Sequence, residues 1–160
     1  MHIRYRSEYG STKQYAEELA RLAGTTAEDL DVEVPDDGQP VVYMSFVHGP
    51  VHPAASKASE SKNAKVAVVT VGMSPLDEAI KADHTGDMVP ASVKRFYLPG
   101  RLEYSRISAA HKATLATLVS ALRLKPRKTA VDRNLIDTYG KDTDRVDFSL
   151  LTPILEWGQS

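Results

Sequence analysis

The run Lys65-Val-Ala-Val-Val-Thr-Val-Gly72 places four valines in eight residues without polar alternation, the pattern of a strand covered on both faces rather than wetted on one. Residues 41–47, Val-Val-Tyr-Met-Ser-Phe-Val, repeat the pattern between Gly38-Gln39-Pro40 and His48-Gly49-Pro50. Strands of this kind need helices above and below them. Helical segments do alternate with them along the chain, so the expected fold is a mainly parallel α/β sheet in three layers.

Residues 3–7 read as a short first strand. Thr12 is the expected cap of a helix over 13–23, and Gly24 ends it. Tyr15, Ala16, Leu19, Ala20, Leu22 and Ala23 recur at three-to-four spacing and predict the packed face. Between 25 and 40 apolar residues are scarce, with Leu30, Val32 and Val34 alternating, so a short strand and a loop are expected and no second helix. Pro53 suits the first position of a helix to about residue 62, and 77–83 predicts another short helix. A strand over 93–98 ends at Pro99-Gly100, and Ser108 caps a helix through 122 with Ile107, Ala110, Leu115, Leu118, Val119 and Leu122 inward. Residues 125–147 read as polar and irregular, and a final helix over 148–157 offers Phe148, Leu151, Ile154, Leu155 and Trp157 for docking.

At 160 residues and 42% apolar composition one domain over 1–160 is the expectation. The chain has no cysteine, which excludes disulfides, thiolate metal sites and cysteine nucleophiles, so redox chemistry would have to come from a cofactor. No run approaches the length of a bilayer span and the first residues lack a signal-peptide core, so a cytoplasmic location is expected. Net charge is −1, but residues 1–80 carry 7 basic and 12 acidic side chains and residues 81–160 carry 13 and 9. Within 101–128 seven Arg and Lys face one Glu, a bias that suits an anionic partner or a membrane surface as well as a solvated helix flank.

In a parallel sheet, ligands collect at the carboxyl ends of the strands where strand order switches direction, here the loops 7–12 and 46–53. Ser7-Glu8-Tyr9-Gly10-Ser11-Thr12 leads from strand to helix. It aims backbone amides and the helix dipole at one point, with hydroxyls from Ser7, Ser11 and Thr12 and a tight turn at Gly10. An anion is the natural occupant, although small capping residues at such a junction can be purely structural. The chain contains neither the Gly-x-x-x-x-Gly-Lys-Ser/Thr of nucleoside triphosphate loops nor a three-glycine dinucleotide fingerprint. A monophosphate therefore fits the short loop better.

Tyr9-Gly10-Ser11-Thr12-Lys13-Gln14-Tyr15-Ala16-Glu17 resembles the FMN phosphate loop and first helix of flavodoxin-domain proteins. Residues 41–49 resemble their strand and second flavin loop. Phe96-Tyr97-Leu98-Pro99-Gly100-Arg101-Leu102-Glu103-Tyr104 is similar to a segment of the branch containing menaquinone-dependent protoporphyrinogen oxidase. The resemblance covers most of 1–125. It implies a flavodoxin-like fold, a five-stranded parallel sheet in order 2-1-3-4-5, from which residues 25–40 depart in that the second helix is reduced or missing. It implies FMN as cofactor and a site of Ser7, Glu8, Tyr9, Gly10, Ser11, Thr12 and Lys13 at the phosphate, with Phe46, Val47, His48 and Gly49 and Val71, Gly72, Met73 and Ser74 along the ring. The second loop lacks the tryptophan or tyrosine that would stack on a flavin, leaving Phe46, His48 or Met73 for that contact. The lost helix should expose one sheet face, which the carboxy-terminal tail or a second subunit would then cover.

Two functions are open at this stage: an FMN protein acting in electron transfer or as a flavin oxidoreductase, and a flavin-free binding module on the same fold. For a porphyrinogen substrate, Arg101, Arg106 or Lys112 would meet the propionates. Expected partners are FMN and a redox partner or small-molecule substrate, with no nucleic acid. A peripheral membrane or quinone contact and a homodimer are further expectations. His48 and His52 stand four apart, but Pro50 and Pro53 prevent a helix that would pair them on a metal. Asp83, His84 and Asp87 fall in a polar loop, and Ser105 and Ser108 near His111 lack the setting of a strained nucleophile.

Overall fold

The computed structural model describes all 160 residues, Met1–Ser160. Five strands form a parallel sheet: β1 (His2–Arg6), β2 (Ala27–Asp29), β3 (Val41–Phe46), β4 (Val66–Gly72) and β5 (Lys94–Pro99), in the order β2-β1-β3-β4-β5. This is the flavodoxin-like order that the sequence led us to expect. Helices α1 (Ser11–Ala23), α2 (Pro53–Glu60) and α3 (Leu76–Ala82) follow β1, β3 and β4. None lies between β2 and β3. The valine runs explain the centre: β3 and β4 pair over Val41↔Val66 through Phe46↔Val71, and nearly all of their residues are buried.

One face of the sheet, carrying Ile3, Val42, Met44, Ala67 and Val69, packs against Tyr15, Ala16, Leu19 and Ala20 of α1 and against Leu151 and Ile154. Those last two come from the chain end, a 3₁₀ turn over Phe148–Leu151 followed by α6 (Thr152–Gln159). Tyr15 ties the layers together, donating to Pro99 O at 2.8 Å and accepting from Asp147 N at 2.8 Å. The other face carries Val41, Tyr43, Val66 and Val68 against Ala54, Ala55 and Ala58 of α2 and against Leu30.

This arrangement corrects the expectation for the missing helix. The carboxy-terminal tail packs beside α1, on the opposite face. The space is filled by the loop after β2, held by Arg4, whose side chain is 2% exposed. Its Nε donates to Val32 O at 2.9 Å, its Nη2 to Glu33 O at 2.8 Å, and its Nη1 to Ile3 O at 3.2 Å while pairing with Glu28 at 2.6 Å. Leu30, 2% exposed, completes the cover. A buried guanidinium with all three nitrogens engaged thus does the work of a helical turn.

Four local expectations also change. The first helix begins at Ser11 with Gly10 at its cap position and no side-chain cap, so Thr12 lies inside it. The second strand is Ala27–Asp29 rather than the alternating stretch after it, because β1 selects it through backbone pairing, Ile3↔Ala27 to Tyr5↔Asp29. Residues 125–147 are not irregular: they hold α5 (Ala130–Thr138), opened by a reciprocal cap between Thr129 and Asp132, and β7 (Thr143–Asp144), antiparallel to β6 (Arg101–Leu102). Helix α4 (Ala109–Leu124) is capped by Ser108 as expected, but Val119 is its one buried residue, and Leu118 is 44% exposed. It packs on α5 rather than on the sheet.

Candidate functional site at the carboxyl edge of the sheet

Gly10, at φ 90°, turns the chain sharply between β1 and α1 in a conformation that side chains resist. Ser7 Oγ accepts from Gly10 N at 3.1 Å and braces the turn. Gln14 is the first residue of α1 whose amide finds an acceptor, Gly10 O at 3.0 Å, so the amides of Ser11, Thr12 and Lys13 have none in the chain. The hydroxyls of Ser11 and Thr12 are engaged nowhere else, on residues 6% and 2% exposed. Across the cleft, Gly100 closes tightly on this loop: a β-carbon there would lie 3.2 Å from Ser11 Oγ. Three free amides and two free hydroxyls at the positive end of a helix form a cradle for a phosphate-sized anion. No carboxylate of the chain plugs it, since Glu8 turns toward His48, at 3.3 Å, and His111, at 3.8 Å.

Beside the cradle, His48-Gly49-Pro50-Val51 forms a tight turn closed by His48 N to Val51 O at 2.9 Å and Val51 N to His48 O at 3.0 Å. The Phe46 ring lies 4.7 Å from that of His48. The turn is anchored from below by His52, 4% exposed, which caps α2. Ala55 N donates to His52 Nδ1 at 3.3 Å, so the ring proton sits on Nε2, which donates to Thr70 Oγ1 at 2.7 Å. Burial pushes this imidazole down from 6.5 to about 4 and keeps it neutral. Thr70 continues the chain of bonds to Thr85 Oγ1 at 2.8 Å.

The third loop, after β4, is held by β5 and by the segment that follows it. Met73 O accepts from Asn134 Nδ2 at 3.0 Å and from Arg145 Nη1 at 2.9 Å, and Ser74 O accepts from Tyr97 Oη at 3.1 Å. Burial pushes the Tyr97 phenol up to about 12, so it remains a donor. At the other end of that segment, His111 Nδ1 meets Tyr9 Oη and Ser108 Oγ, both at 3.2 Å. The α4–α5 excursion is therefore fastened to the first and third loops and roofs the cleft.

The space so enclosed measures about 1460 Å³, and it runs past the loops between α3 and the α4–α5 pair. Glu8, Tyr9, Ser11, Thr12, Phe46, Val47, His48, Gly49, Val71, Gly72, Met73 and Ser74 all line it. Ser7 and Gly10 shape the turn without reaching the cavity, and the Lys13 side chain turns away to pair with Glu17 at 3.7 Å. His48 faces Glu8, whereas His52 is buried against Ser45 and Thr70. Asp83 pairs with Arg95 at 2.9 Å. Sequence reasoning missed Asn134 and Arg145 and weighed His111 only as a neighbour of Ser105 and Ser108. Asn134 and Arg145 sit in a polar stretch where nothing marks one hydrogen-bonding side chain above its neighbours.

No curated protein and no solved structure matches the chain. A family model described as flavodoxin domain matches residues 2–129, a span that takes in all five sheet strands and all three loops.

Proposed function

The chain belongs to the flavodoxin domain family, and on that premise we propose that it holds FMN and acts as a flavin oxidoreductase. Family membership points to a flavin-binding redox role in general. The observation that carries the choice of FMN is the anion cradle of unpaired Ser11, Thr12 and Lys13 amides with the free Ser11 and Thr12 hydroxyls. The short loop suits one phosphate monoester. Phe46, Val47, His48 and Gly49 and Val71, Gly72, Met73 and Ser74 would border the ring, which supplies electron and hydride transfer when bound. The reading takes residues 1–160 as one domain.

The cavity favours an enzyme over a simple electron carrier. It continues past the three loops, between α3 and the α4–α5 pair, where a second reactant would lie beside the ring. The protoporphyrinogen oxidase branch remains the finer proposal, resting on residues 96–104. Of the cations suggested for propionates, Arg101 lines the cavity but is paired with Asp144 at 2.8 Å, Arg106 is paired with Glu103, and Lys112 lies over Tyr104. A dianionic substrate would have to displace such pairs.

The test is optical. Purified protein should be yellow and release FMN on denaturation, and apoprotein should regain the colour with FMN. A colourless protein that refuses FMN would instead be the flavin-free binding module. Turnover of protoporphyrinogen with a quinone acceptor tests the finer assignment, and inactivity with every quinone rejects it.

A further inference from the structure

Residues 101–145 carry ten basic and five acidic side chains, whereas the acidic residues of the chain gather around β2 and the loop after it, at the far edge of the sheet. The molecule is thus polarised along its strand order, with the α4–α5 excursion as its positive pole. The outer side of α4 is unusual for a surface helix. Ala109, Ala110, Ala113, Thr117, Ser120 and Ala121 are all exposed, and between 109 and 122 Lys112 is the one lysine or arginine, with no acid at all. A solvated helix ordinarily carries charge on that side. The uncharged strip ends in Leu124, 85% exposed and the most exposed large apolar residue of the chain. Arg123, Lys125, Arg127 and Lys128 surround it. Arg127 has no partner in the fold, and Lys125 is bound to Asp132 at 2.6 Å.

We propose that the outer face of α4 and the basic turn after it dock on an anionic lipid bilayer. A helix with an uncharged face, a protruding leucine and cations at its rim lies in the plane of the headgroups, with the apolar group inserted and the charges held by anionic lipid. Charge selects this occupant over a second copy of the chain, because two such positive poles repel each other and an anionic surface attracts one. The docking surface lies on the outer side of α4, away from the phosphate cradle, and does not depend on the flavin reading.

The experiment is co-sedimentation of the full chain with vesicles of phosphatidylcholine alone and of phosphatidylcholine mixed with phosphatidylglycerol. Binding is expected to the mixed vesicles only and should fall with added salt. Arg127→Glu reverses an unpaired charge and should weaken binding about thirtyfold, the equivalent of two surface charges. Leu124→Ser should weaken it about tenfold. Both sites are exposed, so circular dichroism and the melting temperature should match the parent protein. Absence of binding to the mixed vesicles overturns the proposal. So does binding that neither variant alters, and so does self-association in vesicle-free solution that Leu124→Ser abolishes, which would assign the face to a second copy.

Discussion

His52 should make stability fall on the acid side of neutrality. Its imidazole titrates at about 4 in the fold against 6.5 for an unrestrained histidine, so between those values the unfolded chain binds more protons than the native one. Stability from this group is fully present above about pH 6.5, drains away as pH falls, and levels off below about pH 4. The difference amounts to about 2 kcal/mol between pH 7 and pH 5 and about 3 kcal/mol by pH 4. The structural cause is burial of the ring, which disfavours the charged form; protonation at Nδ1 would in addition cost the bond accepted from Ala55 N. Glutamine can reproduce the neutral ring, donating to Thr70 and accepting from Ala55, without titrating. Urea unfolding of the parent and of His52→Gln across this range isolates the effect, because the other histidines contribute equally to both curves. The parent should lose about 2 kcal/mol relative to the variant between pH 7 and pH 5. Parallel curves would refute the account of a buried neutral cap.

Other substitutions probe the cradle and the missing helix. Thr12→Val keeps shape and burial while removing one free hydroxyl, and should weaken FMN about tenfold while leaving riboflavin affinity unchanged. Equal losses for the two in a flavin titration would remove Thr12 from the phosphate. Arg4→Met should cost about 3 kcal/mol in urea unfolding and raise hydrogen exchange through the loop after β2, since the Val32 and Glu33 carbonyls lose their donors. A loss under about 1 kcal/mol would show that Leu30 alone holds that loop.

The parts of the fold legible from residues were those where side chains decide. The valine runs of β3 and β4 are continuous because both faces are buried, and the apolar stripe of α1 has one sheet face to meet. The turn at Gly10 was legible because glycine between a strand and a helix permits the left-handed backbone that the turn takes. Ala27–Asp29 was not, because β1 recruits that strand through backbone bonds that leave no mark on an Ala-Glu-Asp sequence. The α5 start at Thr129 and Asp132 is a recognisable pair, but it follows Lys-Pro-Arg-Lys and was lost in a polar background. Arg4 was not legible for another reason: an arginine in a strand is ordinarily solvent-facing, and its burial depends on carbonyls of residues 32 and 33 that only the folded loop supplies. In α4, Leu118 and Leu122 fit an inward stripe, yet the helix packs on a neighbouring helix and a cavity, so the periodicity was real and its assumed destination wrong.

The pairing of Arg101–Leu102 with Thr143–Asp144 brings the departure and return of the α4–α5 excursion side by side, about 5 Å apart as neighbouring strands are. A chain that leaves and rejoins a scaffold through so narrow a neck behaves as a cassette. Changes in its length or sequence need not touch the pairing of the five strands beneath it. The same neck gives selection and engineering a means of altering what enters the cleft without rebuilding the sheet.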